Sequence, residues 1–111
     1  MESKLVSAIN KTLKELEGYN LLSFIRNNTG MAKRGKCYIH FGKVGSADFI
    51  VFLKKGETVF IECKDVDGIQ SPDQIKFQKL IELLGHKYFL IVNYQEFEKI
   101  IFPQKKNCRD A

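Results

Sequence analysis

The 111-residue sequence predicts one α/β domain, a mixed β-sheet flanked by helices in the order α-β-β-β-α-β. Three observations carry this. An N-terminal segment repeats apolar residues at helical spacing. A second segment is bracketed by helix start and stop residues. The runs Phe49–Leu53, Val59–Ile61 and Phe89–Val92 are apolar at successive positions, as strands covered on both faces are.

In residues 3–17, Leu5, Val6, Ile9, Leu13 and Leu16 mark one face of a helix that Gly18 is expected to end. Leu21 to Ile25 is a short apolar stretch of unassigned type, and Asn27-Asn28-Thr29-Gly30 is loop chemistry. Lys33, Arg34 and Lys36 form a basic loop leading into a strand at about 36–42, where Cys37, Ile39 and Phe41 alternate with Lys36, Tyr38 and His40. A glycine-bearing connection, Gly42 to Ser46, precedes strands at about 47–53 and 57–64. The next helix is expected over 72–84, with Ser71 as N-cap, Pro72 at the first position and Gly85 after the last turn. A strand at 87–93 and a short helix at 94–100 complete residues 1–103, and residues 104–111 are a polar, basic tail.

With 44% apolar and 28% charged residues, the composition is that of a globular domain. No apolar run approaches the roughly 20 residues needed to cross a bilayer. Met1-Glu2-Ser3-Lys4 lacks the apolar core of a secretion signal, so a cytoplasmic location is expected and a membrane role is not. The net charge of +5 leans toward a polyanionic partner. Cys37, Cys63 and Cys108 are expected to be free thiols. Cys37-x-x-His40 has zinc-like spacing, but on a strand residues three apart point to opposite faces, and no second ligand pair follows.

Asp48 and Glu62-Cys63-Lys64 carry the chemistry. Lys54-Lys55-Gly56 suits a three-residue hairpin loop with Gly56 left-handed. That turn pairs residue 53 with 57, and the register carried back pairs Asp48 with Glu62. Directly opposed residues share a face, with Cβ atoms about 5 Å apart. Lys64, two residues beyond Glu62, shares that face. Two carboxylates so close repel unless a cation lies between them, and a hard divalent ion, Mg²⁺ or Mn²⁺, suits oxygen ligands. The Cys63 main-chain carbonyl is a further candidate ligand. Lys64 is placed to orient a water and to offset charge developing on a phosphate. The plain alternative is that these are charged residues at strand ends.

An acid followed about a dozen residues later by Glu-x-Lys resembles the PD-(D/E)XK nuclease signature. Gly45-Ser46-Ala47-Asp48, Phe60-Ile61-Glu62-Cys63-Lys64, Ser71-Pro72-Asp73-Gln74, Phe77 and Gly85 are similar to its VRR-NUC branch, with G-x-x-D, E-x-K and S-x-x-Q motifs over roughly residues 26–93. The compact chain looks like the stand-alone phage and bacterial members. The resemblance implies a restriction-endonuclease-like core and a metal-dependent endonuclease, with Asp48 and Glu62 holding the metal, Lys64 assisting the water and Gln74 beside the site. It also implies a carboxylate from Glu2. Ala47 departs from the proline of the superfamily name. Gln74 also completes a capping box with Ser71, and Glu2 also suits a helix N-terminus. Gln78, one turn on, shares the face of Gln74.

Lys33, Arg34, Lys36 and Lys43, and the tail residues Lys105, Lys106 and Arg109, are candidates for phosphate contacts, or for a solvated basic surface. The expected function is therefore DNA endonuclease, nicking or cutting branched DNA. A symmetric homo-oligomer, a dimer or larger, would act on both strands. The alternatives are a non-catalytic nucleic-acid-binding module on the same fold, an RNA-cutting enzyme, and a structural subunit.

Overall fold

The N-terminal periodicity is realised as helix α1 (Glu2–Gly18), which buries Leu5, Val6, Ile9 and Leu13. The computed structural model describes residues 2–27, 30–41 and 45–103, without the side chains of Glu2, 30–34 and 38–41. Gly18 is the last residue of α1, as expected, but it is not left-handed. The left-handed residue is Asn20, at φ 59°. The Leu21 N–H bonds to the Leu16 carbonyl and the Asn20 N–H to that of Glu17, which closes the helix in a Schellman motif. Asn takes this conformation more readily than other non-glycine residues.

The unassigned stretch after α1 forms an edge strand, β1 (Ser23–Arg26). The segment expected to be a basic loop is a strand, β2 (Gly30–Arg34), paired antiparallel with β3 (Cys37–Phe41) in a two-stranded sheet of its own. Gly35, at φ 62°, and Lys36 form the turn between them, so Lys36 lies just before the strand it was expected to open. Cys37 is exposed and its thiol is free, and Cys63 is buried.

The main sheet has the order β1-β4-β5-β6. Strand β4 (Phe49–Phe52) and strand β5 (Thr58–Cys63) pair antiparallel from Phe52↔Thr58 to Phe49↔Ile61, the expected register. Leu53 and Glu57 close the turn with an N–H···O bond of 2.7 Å. Lys55 as well as Gly56 is left-handed in it, at φ 66° and 75°.

Helix α2 (Pro72–Leu83) crosses from β5 to β6 (Lys87–Ile91), which pairs parallel with β5. Its far end is a second Schellman motif, with Gly85 at φ 92°. Helix α3 (Tyr94–Ile101), capped by Asn93, ends the described chain. The expected mixed sheet between helices is present, with β1 as an added edge strand, while the strand expected at 36–42, β3, lies with β2 in the separate sheet.

Each face of the sheet has its own core. Phe49, Val51, Val59, Ile61, Cys63 and Ile91 pack with α1 and with Phe97 of α3. On the other face Ala47, Phe60 and Tyr88 pack with Phe77 and Ile81 of α2. No described helix is long and apolar enough to cross a membrane.

Candidate active site

The β4–β5 ladder ends at Phe49↔Ile61, and just beyond it the two acids come together. The Cys63 N–H donates to Asp48 Oδ2 at 2.8 Å, so a side chain takes the place of the next ladder acceptor. On the other flank the Asn27 N–H donates to the Asp48 carbonyl at 2.8 Å, which holds Asp48 between β1 and β5. Burial pushes the Asp48 carboxyl above its usual range, against the Cys63 N–H and then the Lys64 and Arg26 charges, which pull it down.

Glu62 is the one buried charged side chain among the described residues, 3% exposed. Burying a carboxylate is costly unless hydrogen bonds and opposite charge accompany it. Both are present. Gln74 Nε2 donates to Glu62 Oε2 at 2.9 Å, and Lys64 Nζ lies 3.9 Å from the same oxygen. The Lys64 side chain is only 15% exposed, so this pair is less screened than a surface ion pair. Cys63, between the two, points into the α1-side core.

Gln74 has both roles the sequence allowed. Its Oε1 accepts the Ser71 N–H at 2.9 Å, while the Ser71 hydroxyl accepts the Gln74 N–H at 3.2 Å. This is a complete capping box. Because Oε1 must face the Ser71 N–H, the amide NH₂ must face Glu62.

Gly45 locks the acid-bearing loop to the same helix. At φ 83° a Cβ there would lie 2.5 Å from the Asp73 carbonyl oxygen, so only glycine fits. The G-x-x-D and S-x-x-Q motifs are thus halves of one backbone contact.

The site also includes residues that the sequence did not single out. Asn27 Nδ2 donates to Ser46 Oγ, tying the end of β1 to the Gly45 loop. Tyr88, paired with Phe60 in register, accepts a long bond from Gln70 Nε2 at 3.5 Å. Burial and the nearby Glu62 charge raise its phenol above the usual value, so it remains a neutral hydrogen-bonding group. Asn27 read as loop chemistry and Tyr88 as part of an apolar strand. Gln78 accepts from Gln70 Nε2 at 3.0 Å rather than bonding to either acid.

Asp48, Glu62, Lys64 and Gln74 are therefore brought together. Of the remaining candidates, Lys36 is exposed in the β2–β3 turn. The side chains of Glu2, Lys33 and Arg34, and the whole of Lys43 and of the 104–111 tail, lie outside the described residues. No cluster of three or more His, Cys, Asp or Glu side chains suited to a metal occurs among the described residues. The donors brought together are the two carboxylates of Asp48 and Glu62. Oxygen-only donors fit a hard divalent ion that keeps several waters.

No protein-family model matches the sequence, and no curated protein matches it. Among solved structures, one described as a VRR_NUC domain superposes with a TM-score of 0.64 at 17% identity, covering 94% of this chain and 97% of its own. The chain thus has the fold of that VRR_NUC domain, the branch that its sequence motifs resemble.

Proposed function

We propose that the chain is a metal-dependent DNA endonuclease that hydrolyses phosphodiester bonds. The observation that supports this is the convergence of Asp48, Glu62 and Lys64 at the end of β4–β5, with Glu62 held by both Lys64 and Gln74. Asp48, Glu62 and the Cys63 carbonyl would hold Mg²⁺ or Mn²⁺. When bound, the ion supplies Lewis acidity at the phosphate and favours ionisation of a water.

The chain's own residues do the rest. Lys64 orients the attacking water and offsets charge as the phosphate becomes more negative. Gln74 keeps the Glu62 carboxylate aimed at the site. Glu2 adds a carboxylate from the start of α1. Lys33, Arg34, Lys36 and Lys43 follow the phosphate backbone, so shape rather than base sequence selects the substrate. Residues 1–103 act as one nuclease domain in the cytoplasm of a bacterial or phage-infected cell. It cuts branched or structured DNA or nicks one strand of a duplex, and a homo-oligomer cuts both strands.

Supercoiled plasmid and branched DNA, each incubated with EDTA, Mg²⁺ or Mn²⁺, test this. Wild type should cut with metal and not with EDTA, and Asp48→Ala and Lys64→Ala should not cut. Mutants that cut as well as wild type would end the reading. Binding by wild type without cutting would favour the non-catalytic module.

A further inference from the structure

We propose that Arg26 binds a backbone phosphate of the strand being cut, from the β1 side of the site, an inference that rests on the nuclease reading above. Arg26 is the last residue of β1, and its register with Phe49 puts it on the α1-side face, at the sheet end next to the Asp48 backbone. The next residue, Asn27, is fixed by its N–H bond to the Asp48 carbonyl and its side-chain bond to Ser46. The backbone that carries Arg26 is thus anchored to the acid-bearing loop at two points. The side chain itself is exposed, and among the described residues no carboxylate pairs with it. Its charge nonetheless reaches Asp48.

Charge balance gives this position a purpose. Without metal, Asp48 and Glu62 against Lys64 leave the site with one net negative charge, which opposes an approaching phosphate. Lys64 is committed to Glu62 and only 15% exposed, so it is poorly placed to recruit DNA. Arg26 supplies the missing positive charge at the rim, on an anchored backbone, with a planar fork matched to phosphate oxygens. It differs from Lys36, which is exposed in a turn of the separate β2–β3 sheet.

The test is binding of a short duplex in EDTA, by fluorescence anisotropy across a salt series, so that metal and turnover play no part. Arg26→Ala should weaken binding about tenfold or more and lower the slope of log K against log salt by about one. Arg26→Lys should keep the slope and recover part of the affinity. Lys14→Ala, an exposed cation on α1, is the control for general charge. An Arg26→Ala slope equal to that of wild type or of Lys14→Ala overturns the inference. Thermal melting of each variant separates binding loss from unfolding, and Arg26→Lys serves if the alanine variant melts early. Plasmid cutting by wild type runs in parallel. Cutting with an unchanged Arg26→Ala slope sinks this inference alone. A wild type that neither binds nor cuts sinks both. Slope loss without cutting leaves phosphate binding standing while the nuclease reading falls.

Discussion

Strand β5 shows two different surfaces to its two sides. Val59, Ile61 and Cys63 face α1 and α3 and are at most 2% exposed. Phe60, Glu62 and Lys64 face α2, where the apolar core begins at Phe60 and gives way to charge two residues later. One face is a dry core throughout. The other is a core only as far as Phe77 and Tyr88 reach, and from there onward a site. The lesson is that the α1 face supplies most of the burial that holds the sheet, which lets the α2 face carry a buried carboxylate.

Neighbouring residues on opposite faces should therefore fail in opposite ways. The largest expected effect is on chemistry. Lys64→Ala should lower metal-dependent cleavage by about 10²- to 10⁴-fold with little change in the urea midpoint. Glu62→Gln should do likewise, since it removes a charge from a buried position. Ile61→Ala, one residue away, should cost about 2–5 kcal/mol in urea unfolding by opening a cavity in the α1-side core. Comparable stability losses from Glu62→Gln and Ile61→Ala would show that the two faces share the burden.

Gly45→Ala probes the seam between loop and helix. The added Cβ would collide with the Asp73 backbone at a positive φ, so a loss of about 1–3 kcal/mol is expected. Cleavage should fall even where the protein remains folded, because α2 must shift relative to Asp48. Normal cleavage in a stably folded Gly45→Ala would remove the seam from the argument. Ser71→Ala should cost about 1 kcal/mol through loss of the N-cap.

The smallest effect is on pH dependence. The folded pKa of Asp48 is raised, so its contribution to stability is fully present below the unfolded value near 3.8 and is lost as pH rises through the folded pKa. Without metal, Asp48→Asn should therefore melt slightly above wild type at neutral pH, with the gap closing in acid. A gap that widens in acid would reverse the assignment of burial as the dominant cause.

How much of this was legible in the sequence follows from where the constraints are local. The Lys54-Lys55-Gly56 turn sets the β4–β5 register over a few residues, so the placement of Asp48 near Glu62 could be read directly. The cap at Ser71 and the stop at Gly85 are local in the same way. β1 was not legible, because four residues at a sheet edge, mostly exposed, carry no alternation. β2 was hidden because Lys33 and Arg34 look like loop residues and its partner is a strand in a separate sheet. Tyr88 joins the site through its pairing with β5, and Asn27 through its bonds to Asp48 and Ser46, long-range contacts that no local pattern announces.

The Gln74 side chain has a mechanical consequence. A single amide both winds the first turn of α2 and steadies Glu62, so the two are one latch. Helix ends fray readily, and each opening of this turn would release the acid together with the cap. The rate at which Gln74 amide protons exchange with solvent would then mark how often the site disassembles. A ligand that grips Glu62 would slow that clock from the far side of the helix end.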